Sequence, residues 1–194
     1  MPVTLTGSAL RLVPLRLSDA ADFLAALGSP DEAAEVVQYL GYYPPVDLEQ
    51  TRTIIVAALT DPDRIPYAQR LADTGELVGT TSFYEINEPL RSIAIGHTWI
   101  GRRFWRSGVN RESKLIMLSR AFDELRAERV VWHTDIRNER SQQAIAGLGA
   151  TREGVLRHHR IRRDGSWRDT VQYSMVRAEW PDVKDRLTAG ILRE

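Results

Sequence analysis

Four arginines, Arg102, Arg103, Arg106 and Arg111, crowd a short segment around Gly108. Just before them runs the alternation Ile95, His97, Trp99, which reads as a strand. Just after, Leu115, Leu118, Phe122 and Leu125 fall at spacings of three and four, the period of a helix with one apolar face. Strand, glycine-bearing turn and helix N-terminus in succession present bare backbone N–H groups and the positive end of a helix dipole to an anion. The arginines could meet further phosphate charge. The segment is thus a candidate phosphate cradle; the alternative is an ordinary strand-to-helix connection with a solvated basic face.

The elements that would position this cradle follow from periodicity and punctuation. Leu10, Leu12 and Leu15 mark a first strand, and Ser18-Asp19 caps a helix over residues 19–27. An aromatic, proline-bearing loop at 39–45 precedes a helix over 48–59 capped by Asp47, and 61–66 reads as a turn. Strands at 67–72 and 77–86 flank the turn Asp73-Thr74-Gly75-Glu76, and Asn87-Glu88-Pro89 breaks the chain before the central strand at 93–100. The run at 129–136 is a buried strand, and Asn138 opens a helix carrying Ala144, Ile145 and Leu148 that ends at Gly149. Strands at 155–163 and 167–176 flank Asp164-Gly165, a strong hairpin signal, and 179–191 is a final helix. No repeat or linker divides the chain. The order β-α-α-β-β-β-α-β-α-β-β-α predicts one mixed α/β domain over residues 1–194.

Composition narrows the function classes. At 194 residues with 43% hydrophobic and 27% charged, the chain can bury a real core. Its 26 basic and 26 acidic residues cancel, which argues against broad nucleic-acid binding. With no cysteine there is no disulfide, thiolate metal site or covalent cysteine intermediate. No run is apolar enough to span a bilayer and none resembles a leader, so the expected location is cytoplasmic.

The element order, with its glycine-bearing turn before the third helix, resembles the GCN5-related N-acetyltransferase (GNAT) family over essentially the whole chain. Members hold acetyl-coenzyme A by a loop of form Q/R-x-x-G-x-G/A, which aligns with Trp105-Arg106-Ser107-Gly108-Val109-Asn110. Trp105 replaces the first polar residue, and Asn110 the last small one. A second block, T-D-I-R-N-E-R-S-Q-Q-A-I-A-G-L-G-A-T-R-E-G-V, is similar to the RimJ/RimL-type branch, as are Gly-Val-Asn-x-Glu after the cradle and the ending R-D-T-V-Q-Y-S … E-W-P. The resemblance implies one central, mostly antiparallel sheet of about seven strands, splayed at the cofactor site and flanked by helices.

It also implies acetyl-CoA as cosubstrate, with no metal, and a primary amine as acceptor, either a protein N-terminus or a small molecule. The pyrophosphate would rest on backbone N–H groups of Arg106, Ser107, Gly108, Val109, Asn110 and Arg111. The pantetheine arm would lie along 93–100, with a backbone N–H between Thr98 and Ile100 polarising the thioester carbonyl. Asn138 would cap a cofactor-binding helix. Many members carry a tyrosine as leaving-group acid where this chain has Ile145, so Ser141, at the start of the same helix, is the candidate here. Glu85, Glu88 and His97 are candidate bases, and a base acting through water, or none, also fits. Tyr42 and Tyr43 would line the acceptor wall. Without a cysteine, direct attack in a ternary complex is the natural mechanism.

Other readings stay open: transfer of a longer acyl chain, a CoA-binding sensor or scaffold without turnover, and a ribosome- or RNA-associated module suggested by Arg157, Arg160, Arg162, Arg163 and Arg168. That arginine run is expected to form a solvated hairpin face. His158 and His159, adjacent on a strand, should face opposite sides. A homodimer is compatible with the resemblance.

Overall fold

The computed structural model describes residues 3–191. Its strands are β1 (Leu5–Thr6), β2 (Leu10–Pro14), β3 (Arg64–Leu71), β4 (Leu77–Asn87), β5 (Ser92–Ile100), β6 (Arg129–Asp135), β7 (Thr151–Ile161) and β8 (Trp167–Val176). They form one sheet in the order β1-β2-β3-β4-β5-β6-β8-β7. Every neighbouring pair is antiparallel except β5 and β6. The eighth strand beyond expectation is β1, a two-residue edge piece too short to show a period.

The helices are α1 (Ala20–Leu27), α2 (Pro30–Val36), α3 (Leu48–Thr60), α4 (Val109–Ser119), α5 (Glu139–Gly147) and α6 (Trp180–Ile191). The short α2 is absent from the expected order. Its start is nevertheless written locally: Pro30 follows Ser29, whose hydroxyl accepts from the Glu32 N–H while the Glu32 carboxylate accepts from the Ser29 N–H.

The helices cover the two faces of the sheet unequally. On one face α4 and α6 bury Met117, Phe122 and Trp180 against Ile95, Trp132, Tyr173 and Met175. On the other, α1, α2 and α3 pack Phe23, Val37 and Ile55 over Ala68, Leu77 and Trp99, with Phe23 edge-on to Trp99 at 4.7 Å. This second apolar layer draws on β2 to β5 alone, so the same face of β6 and β8 keeps polar residues such as His133, Asp135 and Gln172. The apolar period of α4 continues to Phe122 but not to Leu125, which is 48% exposed, because a π-helical turn at Arg120–Glu124 shifts the face.

The relationship that shapes the site is the parting of β5 from β6. The two strands pair only over Ser92–Ala94 and Arg129–Val131. Further along, β5 bulges: Thr80 pairs with Trp99 and Ser82 with Gly96, so His97 and Thr98 together oppose Thr81. His97 takes a left-handed φ of 49°, and the extra residue turns the strand away from β6. A gap opens toward the N-terminus of α4.

Candidate active site

At the wide end of the gap, Gly101 to Arg111 form the cradle. Gly101 passes so close to α1 that a Cβ there would sit 2.3 Å from the Ala26 carbonyl oxygen. Gly108, at φ 77°, caps α4, and Arg106 is also left-handed at 63°. The N–H groups of Val109 and Asn110 belong to the first turn of α4, where the helix supplies no acceptor. The arginines contribute less than their number suggests. Arg102 pairs with Glu35, Arg103 with Glu76, and Arg111 donates to the Gly190 carbonyl at 3.2 Å. What the cradle could offer an anion is therefore its backbone dipoles and the exposed Arg106.

Trp105, one of the two departures from the family loop, has a structural task. Its indole N–H donates to the Ile100 carbonyl at 2.8 Å, and the Arg140 guanidinium lies 3.7 Å above its ring. The cradle is thereby bracketed to the end of β5 and to the first turn of α5. Asn138 caps that helix by accepting from the Ser141 N–H at 3.0 Å, leaving the half-buried Ser141 hydroxyl in the first turn. Ile145 is buried in the core, so no proton donor occupies its position.

Beneath the bulge, the Thr98 hydroxyl lies 2.8 Å from that of Thr81 and accepts from Lys114 Nζ at 2.9 Å. Lys114 projects from α4 and is buried, which lowers its pKa to about 7. Helix period puts this lysine at the edge of the apolar stripe, four residues before Leu118, and only its charge argues for solvent there.

At the narrow end, Tyr84 reaches across β5. Its ring passes over Gly96, where a Cβ would meet Tyr84 Cε1 at 2.7 Å, and its hydroxyl arrives 3.2 Å from His133 Nδ1. His133 Nε2 lies 3.1 Å from Gln172 Oε1. Gln172 Nε2 donates to Glu153 at 2.8 Å, and Glu153 also accepts from Arg129 at 2.7 Å and from the Ser174 hydroxyl at 2.8 Å. With its amide nitrogen committed to Glu153, Gln172 turns its oxygen to His133. The imidazole proton therefore belongs on Nε2, and Nδ1 is free to accept from the Tyr84 hydroxyl. Burial, helped by the charge of Glu85, pushes the Tyr84 phenol well above its usual pKa, so it keeps its proton at neutral pH.

The predicted bases separate here. Glu85 joins the cluster: one oxygen lies 2.6 Å from Arg160 Nη2 and the other 3.5 Å from His133 Nδ1. His97 joins it too, its ring centroid 5.0 Å from that of Tyr84. His97 is exposed, but desolvation by the side chains packed around it, then the charges of Arg64 and Arg160, lower its pKa to about 4. It is neutral at physiological pH and a weak base. Glu88 lies apart on an exposed turn closed by the Arg91 N–H on the Glu88 carbonyl at 3.0 Å.

The expected solvated arginine face holds for Arg157 and Arg160, which are exposed, while Arg162, Arg163 and Arg168 are partly buried. Arg162 grips buried Asp135 through two bonds of 2.6 and 2.9 Å. Arg163 donates to the Tyr42 and Val37 carbonyls at 2.6 and 3.1 Å and lies 4.7 Å over the Tyr43 ring. These contacts fasten the aromatic loop to the β7–β8 hairpin. Tyr42 is half-buried under this strap and Tyr43 is 62% exposed on it. A left-handed His158 at φ 49° stacks on Trp167, while His159 turns toward His133 at 5.4 Å between ring centroids.

Comparison with known proteins fits this geometry. The family model described as an acetyltransferase (GNAT) domain matches residues 9–151. YoaA of Bacillus subtilis (strain 168), an uncharacterised N-acetyltransferase, is 32% identical over 173 residues, covering 86% of this chain and 94% of YoaA. A T. thermophilus structure described as an acetyltransferase is 38% identical with a TM-score of 0.87, covering 97% of each chain. Mycobacterium smegmatis RimJ, solved with a CoA disulfide, shares the fold at a TM-score of 0.79 and 21% identity, covering 97% of this chain and 95% of RimJ. The family match over residues 9–151 and the likeness to YoaA show that the chain belongs to the GNAT acetyltransferase family, whose members use acetyl-CoA.

Proposed function

We propose that residues 1–194 act as a single acetyltransferase domain that passes the acetyl group of acetyl-CoA directly to a primary amine in a ternary complex. The observation that carries this reading is the parting of β5 from β6 beyond Ala94, which opens toward the capped N-terminus of α4. The fold neighbour RimJ, described bound to a CoA disulfide, supports the same class of ligand. The pyrophosphate rests on the backbone of 106–111, and the pantetheine arm runs beside 95–100, with Ile100 and Asn138 at the outer end. The cleft holds donor and amine together, which replaces an encounter in solution by attack at short range.

The amine nitrogen attacks the thioester carbonyl, and the C–S bond breaks as the C–N bond forms. The amine proton passes to the Tyr84 oxygen while the Tyr84 proton moves to His133 Nδ1, so no free phenolate forms. The Glu85 carboxylate, 3.5 Å from that nitrogen, stabilises the resulting imidazolium. The departing sulfur takes a proton from the Ser141 hydroxyl at the first turn of α5, and solvent water returns the proton held on His133 to the Ser141 oxygen, so both side chains end the cycle as they began. His97 neighbours Tyr84 as a neutral imidazole, and Tyr42 and Tyr43 bound the acceptor.

Thiol release from acetyl-CoA across a panel of amines and peptides tests the reading. Tyr84→Phe and Ser141→Ala should each lower kcat by about 10- to 100-fold with a small change in acetyl-CoA affinity. Tight acetyl-CoA binding with no thiol release for any acceptor, whichever variant is used, would show a CoA-binding protein without turnover.

A further inference from the structure

Two polar groups on the cleft-facing side of β8 are buried without a partner among the described residues. Arg168 Nε is shielded from solvent and makes no hydrogen bond; its nearest carboxylate oxygen, Asp135 Oδ2, is 4.0 Å away. Two residues along, on the same face, Thr170 Oγ1 is shielded and unbonded as well. Asp135 is already committed, since Arg162 holds both its oxygens and the Arg137 N–H donates to Oδ1 at 3.0 Å. A guanidinium held inside a protein ordinarily has an anion beside it, because its charge loses the stabilisation of water.

The surrounding charges leave Arg168 only a 4.0 Å share of Asp135, which Arg162 already holds, and no hydrogen bond at Nε. Arg160 is answered by Glu85 at 2.6 Å and Arg162 by Asp135. Arg64, whose charge reaches His97, spends its Nε on the neutral Ser82 hydroxyl at 2.8 Å. Arg168 bears on Tyr84, His97 and His159, the groups that line the narrow end of the gap. Asp61 offsets part of the Arg64 charge, so two guanidinium groups with no carboxylate hydrogen-bonded to them among the described residues bear on the place where the amine must arrive. An amine alone would enter this field unfavourably when protonated; an amine that brings its own anion would be drawn in.

We propose that the acceptor is a compact primary amine carrying a carboxylate or phosphate, and that this anion docks on Arg168, with Arg64 adding attraction from the opposite wall. The inference rests on the acetyl-transfer reading above and specifies its substrate class. The strap formed by Arg163 and the aromatic loop, together with the Tyr39 hydroxyl donating to the Arg137 carbonyl at 2.9 Å, closes the cleft on one side and favours a small acceptor over a chain lying across it. Arg168 presents paired N–H donors that suit either anion.

Matched amines test this: phenylalanine against phenethylamine for a carboxylate, phosphoethanolamine against ethanolamine for a phosphate, and a neutral peptide with a free N-terminus. Thiol release from acetyl-CoA gives kcat/KM, and calorimetry on CoA-loaded protein gives binding without turnover. In at least one pair the anionic member should be favoured by about tenfold or more, and the pair identifies the anion. Arg168→Gln should erase that preference through KM, and Arg168→Lys should restore part of it, with acetyl-CoA affinity unchanged in both. Equal use of anionic and neutral members, preference for the peptide, or a preference that survives Arg168→Gln would each overturn the inference. Calorimetric binding of the anionic members without thiol release would uphold the anion site while sinking the acetyl-transfer reading. Neither binding nor turnover would sink both.

Discussion

The Tyr84 hydroxyl lies 3.2 Å from His133 Nδ1, although β5 runs between the strands that carry them. The pair spans the point where β5 and β6 begin to part, and it can do so because Gly96 has no side chain. In Gly96→Ala, the added methyl would stand 2.7 Å from Tyr84 Cε1 and push the ring off His133. Stability should fall by about 1–3 kcal/mol in denaturant titration. Acetyl transfer should fall by about tenfold or more, the scale of a lost proton relay. Acetyl-CoA affinity, measured by calorimetry, should change little, because the cradle lies at the other end of the gap.

His97 sets part of the pH dependence of stability. Its pKa is about 4 in the fold against an ordinary 6.5. Between those values the unfolded chain binds a proton that the native chain does not. Stability therefore rises with pH across this window and is lost as pH falls from about 6.5 toward about 4. His97→Asn, a residue that tolerates the left-handed φ of 49°, should flatten that slope in melts taken at successive pH values. An unchanged slope would mean that His97 titrates normally.

Lys114 combines a cost with a use. Its folded pKa of about 7 lies below the ordinary 10.5, so the unfolded chain binds the extra proton between these values and stability should rise with pH over that range. Lys114→Met removes the buried amine and should leave stability at pH 7 within about 1 kcal/mol of the parent or above it. It should also release Thr98, whose hydroxyl Lys114 holds at 2.9 Å, and loosen the bulge. The expected result is a lower kcat from a protein that is no less stable.

Arg163→Ala cuts the strap between the hairpin and the aromatic loop. Two bonds to the Tyr42 and Val37 carbonyls, at 2.6 and 3.1 Å, disappear with the contact over Tyr43. The acceptor KM should rise by about 5- to 50-fold, the equivalent of one or two charge-assisted hydrogen bonds lost from the cleft wall. The acetyl-CoA KM should stay near its original value, and steady-state kinetics in both substrates separates the two.

The chain's local signals settled most of its elements and the turn of the cradle. Asp164-Gly165 turns the last hairpin, Asn138 caps α5, and Gly108 caps α4 at the head of the cradle. Each works within three or four residues, so the linear order of the chain contains the whole cause. Tertiary structure decided the rest. The bulge at His97 resets which side chains share a face, and with it whether Tyr84, Glu85 and His133 can meet. The only sequence trace of that meeting is a glycine inside a strand, Gly96. The arginines of 157–168 look alike as a charge run, yet Arg162 bonds Asp135 and Arg163 the aromatic loop, while Arg168 stands 4.0 Å from that same Asp135. Partners more than twenty residues apart choose among identical side chains through strand register and distance, and neither exists until the sheet has closed.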